Sequence, residues 1–148
     1  MNRINVFTIG FTKKSAEVFF RKLIKAGVKR VIDIRLNNTS QLAGYTKKDD
    51  LGYFLRAVGG IEYLHRPDFA PTKEILEAYK KSKGDWPAYE DRFTALIAER
   101  RIEEKMNPDL LNQACLLCSE EKPAKCHRRL VAEYFQKKWG NVDIHHIE

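Results

Sequence analysis

Residues 5–34, NVFTIGFTKKSAEVFFRKLIKAGVKRVIDI, decide the fold class of this chain. The apolar run of residues 5–10 is typical of a strand, and the segment after it carries apolar side chains at helical spacing as far as Gly27. Residues 28–34 are rich in β-branched side chains and predict a second strand. A strand, a helix and a strand in direct succession predict two parallel strands joined by a right-handed crossover.

The same alternation of strands and helices continues to the end of the chain. The further predicted elements are a helix around residues 51–58, a strand over 61–65, helices beginning near 73 and 86, a strand over 114–117, a helix over 126–139 and a strand over 142–147. We therefore expect a single α/β domain over residues 1–148, a three-layer α/β/α sandwich around a mostly parallel sheet of about five strands.

The composition agrees with a protein of this class. At 148 residues with 43% hydrophobic content, the chain is large enough to bury one core. Its start lacks the pattern of a secretion signal, and we find no apolar run long enough to span a bilayer. Three cysteines, an odd number, favour reduced thiols over a disulfide framework. We expect a cytoplasmic protein that has no membrane partner.

The positive charge is concentrated at one end of the sequence. The net charge is +7, yet residues 1–48 hold eleven Lys and Arg against two acidic residues, whereas residues 49–148 hold sixteen against eighteen. This excess of positive charge favours an anionic partner, either a small anion or a nucleic acid. Lys13, Lys14, Lys22, Lys25 and Lys29 then have two interpretations, a solvated helix face or a nucleic-acid-binding stripe.

Polar side chains follow the predicted strands at their carboxyl ends, where ligands bind in open α/β sheets. The Asn-rich loop after the second strand is suited to hydrogen bonding with a polar ligand, and arginines on this edge could hold its charge. Asp33 either pairs with Arg35 or orients it toward a site. The predicted ligand-binding residues are Thr12, Arg35, Asn37, Asn38, Ser40, Gln41 and Arg128.

Residues 118–129, CSEEKPAKCHRR, are the predicted centre of chemistry. Cys118 ends a strand and Cys126 opens a helix, whose amide hydrogens and dipole favour a thiolate. His127 follows in the first turn, and Glu120 in the loop could act as a general acid or base. The predicted catalytic residues are thus Cys118, Glu120, Cys126 and His127, although either cysteine could also be a small packing residue.

Other interpretations of these residues are less favoured. Cys115 and Cys118 lie three apart in a predicted strand and would point to opposite faces, which argues against zinc, so we expect no metal site. A phosphatase-type loop needs an arginine where this chain has Ala124. The aromatic residues Trp86, Tyr89 and Phe93 follow helical spacing and are interpreted as helix core, not as a base-stacking platform.

Several segments of the chain resemble one known family, called domain of unknown function 488. They are VFTIGFT at residues 6–12, VIDIRLNNTSQLAGYTKKDDL at 31–51, YLHRPDFAPT at 63–72 and CLLCSEEKPAKCHRRLVAEYF at 115–135. Cys118, Glu120, Cys126, His127 and Arg128 match the family's C-x-E and C-H-R pattern. The resemblance implies an α/β sandwich with a shared polar site and no established reaction. Many members have His where this chain has Phe11.

Together these patterns favour an enzyme, or former enzyme, that binds a small anionic or nucleotide-like ligand at the strand ends. These sequence patterns do not identify a cofactor. The alternative is a nucleic-acid-binding module that uses the basic N-terminal third.

Overall fold

The computed structural model describes residues 2–38, 44–120 and 122–148 and confirms the α/β class. Five strands form one sheet in the order β3-β2-β4-β1-β5, and every pairing within it is parallel. The strands are β1 (Ile4–Gly10), β2 (Arg30–Asp33), β3 (Glu62–His65), β4 (Ala114–Cys118) and β5 (Val142–Ile147). Parallel strands need crossovers, and helices in the chain supply them.

The described residues contain six α-helices. They are α1 (Ala16–Ala26), α2 (Lys48–Gly59), α3 (Lys73–Lys81), α4 (Trp86–Arg100), α5 (Pro108–Leu111) and α6 (His127–Trp139). Ser15 caps α1 by accepting a hydrogen bond from the Val18 amide, and Gly27 ends this helix in the left-handed conformation. Short 3₁₀ turns lie at residues 44–46, 67–69 and 102–104.

The helices cover both faces of the sheet, which makes three layers. On one face Phe19 of α1 and Leu51 of α2 pack against Ile9 and Leu117. On the opposite face, α4 and α6 contribute Phe93, Ile97 and Phe135, which pack with Val6 and Leu116. Because β4 is central and covered on both sides, all five of its residues are buried.

Several predicted boundaries differ from the structure, most of them by one or two residues. The second strand begins at Arg30 because the Val28 and Lys29 amides bond to Leu23 and Gln113 carbonyls instead of continuing the ladder from residue 28. The helix that begins at Trp86 ends at Arg100, since Arg101 adopts a left-handed conformation with φ of 53°. Beyond this end, Asn107 caps the short helix α5 and Pro108 is its first residue.

The order of the strands opens a crevice at one edge of the sheet. Helix α2, which follows β2, lies on one face, whereas α6, which follows the adjacent β4, lies on the other. The chain therefore leaves these two neighbouring strands in opposite directions, and the carboxyl ends between such connections form the usual ligand crevice of open α/β sheets.

Across the described part of the chain, none of the helices has the length and apolar character that a membrane crossing requires.

Candidate functional site

A pocket of about 410 Å³ lies at the crevice between the carboxyl ends of β2 and β4. Its lining comes from the residues after β2, the loop after β4, the start of α6 and the helices α3 and α4. Six residues predicted from sequence line it, namely Arg35, Asn37, Cys118, Glu120, Cys126 and His127. The pocket thus gathers side chains that are far apart in the sequence.

Cys118 and Cys126 meet at the base of this pocket. Cys118 is the last residue of β4, Cys126 is the N-cap of α6, and both side chains are buried. They form a disulfide, so the expectation of reduced thiols is wrong for this pair, and their Cα atoms are 7.6 Å apart. Cys115 lies on the opposite face of the sheet among the residues around α1 and α2, as the strand alternation predicts. Burial raises the pKa of the Cys115 thiol, which keeps it unreactive.

Arg128 lies behind the two cysteines and has no exposed surface. Its Nε donates to the Thr8 hydroxyl at 3.3 Å, and its Nη1 donates to the Cys118 sulfur at 3.5 Å and to the Glu120 carbonyl oxygen. The side chain therefore links β1, β4 and α6 from inside the protein. It is not part of the pocket lining, where it was predicted to hold a ligand.

His127 is held in one tautomer beside the cysteines. Its Nε2 lies 2.7 Å from the Ile34 carbonyl oxygen, which can only accept, so this nitrogen carries the hydrogen. Burial lowers the pKa of His127 to about 4, and the ring is neutral near pH 7. Its Nδ1 therefore keeps a lone pair.

A buried polar network supports the pocket from the β2 side. Arg35 donates to both carboxylate oxygens of Asp33, at 2.9 and 2.8 Å, and to the Thr46 carbonyl at 2.6 Å. The Tyr63 hydroxyl donates to Asp33 at 2.6 Å and receives a hydrogen bond from Asn38 at 3.2 Å. The predicted Asp33–Arg35 pair is therefore present, and Asn38 belongs to this network instead of the pocket lining.

The remaining predicted ligand-binding residues lie elsewhere. Thr12 donates from its hydroxyl to the Ser119 carbonyl at 2.5 Å and so ties the loop after β1 to the loop after β4. It does not line the pocket. Ser40 and Gln41 lie outside the described residues. Phe11, at the position where many resembling sequences have His, is buried, with the Arg35 guanidinium 5.4 Å from its ring centre.

An aromatic wall forms one side of the pocket and was missed from the sequence. It consists of Tyr79, Trp86 and Tyr89. The Trp86 and Tyr89 rings are stacked with centroids 4.8 Å apart, and Tyr79 lies 5.1 Å from Tyr89. Helical spacing made these residues look like core, and they do pack on it, but they also face the pocket. The signal was the recurrence of aromatic residues on both sides of the break at Gly84.

The pocket lining is electropositive. Lys80 and Lys125 supply two cations against the one carboxylate of Glu120, which leaves a formal charge of +1, because the charge of Arg35 is compensated by its buried partner Asp33. Lys80 and Lys125 are exposed and were also missed from the sequence. The N-terminal lysines that suggested a nucleic-acid stripe, including Lys13 and Lys25, do not line this pocket.

Comparison with known proteins supplies a family and no activity. No curated protein and no solved structure matches the chain. The family described as "Domain of unknown function DUF488" matches residues 15–135, a segment that includes Asp33, Arg35 and the whole C-x-E and C-H-R pattern. The Thr-Ile-Gly start at residues 8–10 precedes the matched segment. Since the match covers most of the chain, this protein belongs to the DUF488 family.

Proposed function

We propose that this protein binds a small anionic, nucleotide-like ligand in the pocket between β2 and β4, next to a pair of thiols that carry out its chemistry. The observation behind the proposal is that one pocket combines an aromatic wall, a net positive lining and two cysteines. Its volume of about 410 Å³ suits a small molecule, since ligand pockets commonly measure about 300–1,000 Å³.

The cations favour an anionic group on the ligand. Lys80 and Lys125 are exposed at the pocket and free to approach a phosphate or carboxylate. The amino end of α6 adds amide hydrogens and the positive end of a helix dipole on the same side. Arg35 is bound by Asp33, so its charge is compensated within the protein.

The aromatic wall favours a planar group on the same ligand. Trp86 is half-buried, so part of its ring is available for contact. Stacking of a nucleobase on an aromatic side chain contributes about 1–3 kcal/mol. A ligand with a ring at one end and an anion at the other would reach both Trp86 and Lys125.

The reactive groups line the same pocket as these two regions. In the reduced chain, the Arg128 guanidinium beside the Cys118 sulfur and the amino end of α6 both favour a thiolate. Glu120 and the neutral His127 line the same pocket and are the candidates for proton transfer. This arrangement supports thiol or acid–base chemistry on the bound ligand.

The proposal is tested by binding measurements on the reduced chain with inorganic phosphate, a nucleoside and nucleoside monophosphates. We expect a nucleotide to raise the unfolding temperature more than phosphate or nucleoside alone, because only the nucleotide engages both regions. Isothermal titration calorimetry then gives the affinity for each variant.

Two substitutions test the two parts of the pocket, the aromatic wall and the positively charged side chains. Trp86→Ala should weaken nucleotide binding by about 5- to 150-fold, the equivalent of about 1–3 kcal/mol. Lys125→Ala should weaken it too, whereas Lys122→Ala should not, because Lys122 lies in the same loop but does not line the pocket. If no member of the panel binds, or if Trp86→Ala and Lys125→Ala bind like the wild type, the proposal is wrong.

The nucleic-acid alternative makes a different prediction. It expects an electrophoretic shift at low salt that weakens steeply as salt rises and disappears when Lys13, Lys14, Lys22 and Lys25 are neutralised. These substitutions leave the pocket lining unchanged, so the two functions can be distinguished.

A further inference from the structure

We propose that the reduced protein binds a zinc ion through Cys118, Cys126 and His127. One potential ligand atom from each of these residues lies within 4.8 Å of the others. The inference goes beyond ligand binding in the pocket, because it depends only on the positions and chemistry of these three side chains.

The donor set is one that zinc prefers. Zn²⁺ is a borderline-soft ion that binds both soft thiolates and imidazole, and Cys₂His with an open fourth position is an established zinc arrangement. The ligands come from two elements that the fold holds together, the end of β4 and the start of α6. Such a site does not depend on flexible loops to assemble.

His127 is already oriented as metal-binding histidines usually are. Its Nε2 hydrogen is donated to the Ile34 carbonyl at 2.7 Å. Donation of one ring N–H to a backbone carbonyl fixes the tautomer and leaves the other nitrogen with a lone pair for a metal. The neutral imidazole is the form that binds.

The Cα atoms of the two cysteines are farther apart than a disulfide normally spans. Their Cα atoms are 7.6 Å apart, whereas a separation above about 7 Å requires backbone movement to form a disulfide. An ion between the sulfurs, with zinc–sulfur bonds of about 2.3 Å, is accommodated by a larger Cα separation.

The charges at the site also balance. Each thiol loses one proton as its sulfur binds, so two protons are released and no electrons are transferred. The two thiolates neutralise the ion. Arg128 donates to the Cys118 sulfur, which gives this ligand a hydrogen bond from behind.

Cys115 takes no part in this site. The expectation that zinc would not bind was based on Cys115 and Cys118 as a ligand pair, and these two do point to opposite faces. The cluster proposed here uses Cys126 and His127 with Cys118 instead. All three line the pocket, so a fourth position on the ion faces its interior. The idea that the anionic end of a ligand occupies this position rests on the proposed function. The inference that zinc binds does not depend on it.

The test uses the full chain, treated with a thiol reductant and a chelator, exchanged into reductant without chelator, and titrated with zinc. We expect one equivalent of zinc per chain by elemental analysis. Cobalt in place of zinc should show the intense absorption of tetrahedral thiolate coordination, which reports on the ligands independently of any activity.

Single variants identify the ligands. Cys118→Ala and Cys126→Ala should abolish stoichiometric binding, and His127→Gln should weaken it by at least about tenfold. Cys115→Ala is the matched control and should bind like the wild type, because Cys115 lies on the other face of the sheet. Circular dichroism verifies that each variant is folded. Should Cys118→Ala fail to fold, His127→Gln and Cys126→Ala decide the question.

The outcomes separate this inference from the proposed function. If the reduced wild type takes up no zinc, or if the Cys126 and His127 variants bind zinc as well as the wild type, the site is refuted even where nucleotides bind. If zinc binds as described while no nucleotide does, the metal site stands and the ligand proposal fails.

Discussion

The Nη1 nitrogen of Arg128 lies 3.5 Å from the sulfur of Cys118, and neither side chain has more than 1% of its surface exposed. A buried charge needs partners, and Arg128 also donates to Thr8 and to the Glu120 carbonyl. The guanidinium thus holds together the strands and helix that form the site and increases the thiolate character of Cys118 when this residue is reduced.

The first prediction concerns this contact. In a reduced, metal-free chain that also carries Cys115→Ala and Cys126→Ala, only the Cys118 thiol remains. Arg128→Met should slow its alkylation by iodoacetamide at about pH 7 by about tenfold, the equivalent of about 1.4 kcal/mol, because the thiolate loses a charged hydrogen-bond donor.

Arg129→Met is the control, since Arg129 contacts Glu90, Glu133 and the Ala124 carbonyl instead of Cys118. Both variants are first confirmed to be folded by circular dichroism. Equal alkylation rates in the two variants would show that Arg128 does not activate the thiol.

The second prediction concerns Gly10 at the end of β1. A Cβ atom at this position would lie 1.5 Å from the Glu120 carbonyl oxygen, so the backbone must shift to admit it. Gly10→Ala should lower the free energy of unfolding by about 1–3 kcal/mol or more, measured by urea denaturation. Gly44→Ala should have little effect, because a Cβ there meets nothing within 4 Å. Equal stability of the two variants would contradict the close approach at Gly10.

The third prediction concerns the buried pair of Asp33 and Arg35. Asp33→Asn leaves the Arg35 charge buried without its carboxylate and should lower the free energy of unfolding by about 3–5 kcal/mol. Asp143→Asn removes the partner of Arg3 in an exposed pair and should change stability little. Urea denaturation measures the free energy of unfolding of both variants. A small effect of Asp33→Asn would mean that the Asp33–Arg35 pair does not stabilise the buried network beside the pocket.

The fourth prediction concerns Tyr63 and pH. Burial, together with the hydrogen bond to Asp33, raises the pKa of Tyr63 above its ordinary value. Above about pH 10 the unfolded chain loses the phenol proton that the folded chain keeps, so the stabilisation is present below that pH and declines as pH rises. Tyr63→Phe should cost about 1–3 kcal/mol at about pH 7 through the lost hydrogen bond.

That difference between wild type and Tyr63→Phe should shrink when urea denaturation is repeated at about pH 11. The control is Tyr53→Phe, since Tyr53 is 60% exposed and should give no such difference at either pH. If the stability difference between wild type and Tyr63→Phe widened as pH rises, the result would contradict a buried, neutral phenol at Tyr63.

The fold class followed from local patterns. Residues 5–34 alternate between the periods of strand and helix, and those periods reflect which faces of each element are buried. The predicted ends of helices and strands were less accurate where an end depends on contacts with other parts of the chain. The end of the helix at Arg100 is set by a left-handed residue that no periodicity marks. The prediction of Trp86, Tyr89 and Phe93 as helix core is confirmed, but the pocket-facing side of Trp86 and Tyr89 was missed because a helical pattern identifies a buried face without saying what lies against it.

The sequence by itself determined the alternation of strands and helices and pointed to part of the site, the Cys118–His127 motif with Arg35, because side-chain periodicity and helix caps are local properties. Only the tertiary structure decided which of those residues meet. Placement of β4 between β2 and β1 brings His127 to the Ile34 carbonyl, 93 residues away, and takes Arg128 into the interior beside Thr8. Strand order depends on pairings between distant segments, and these are energetically favourable only once the whole sheet and its two helical layers have assembled.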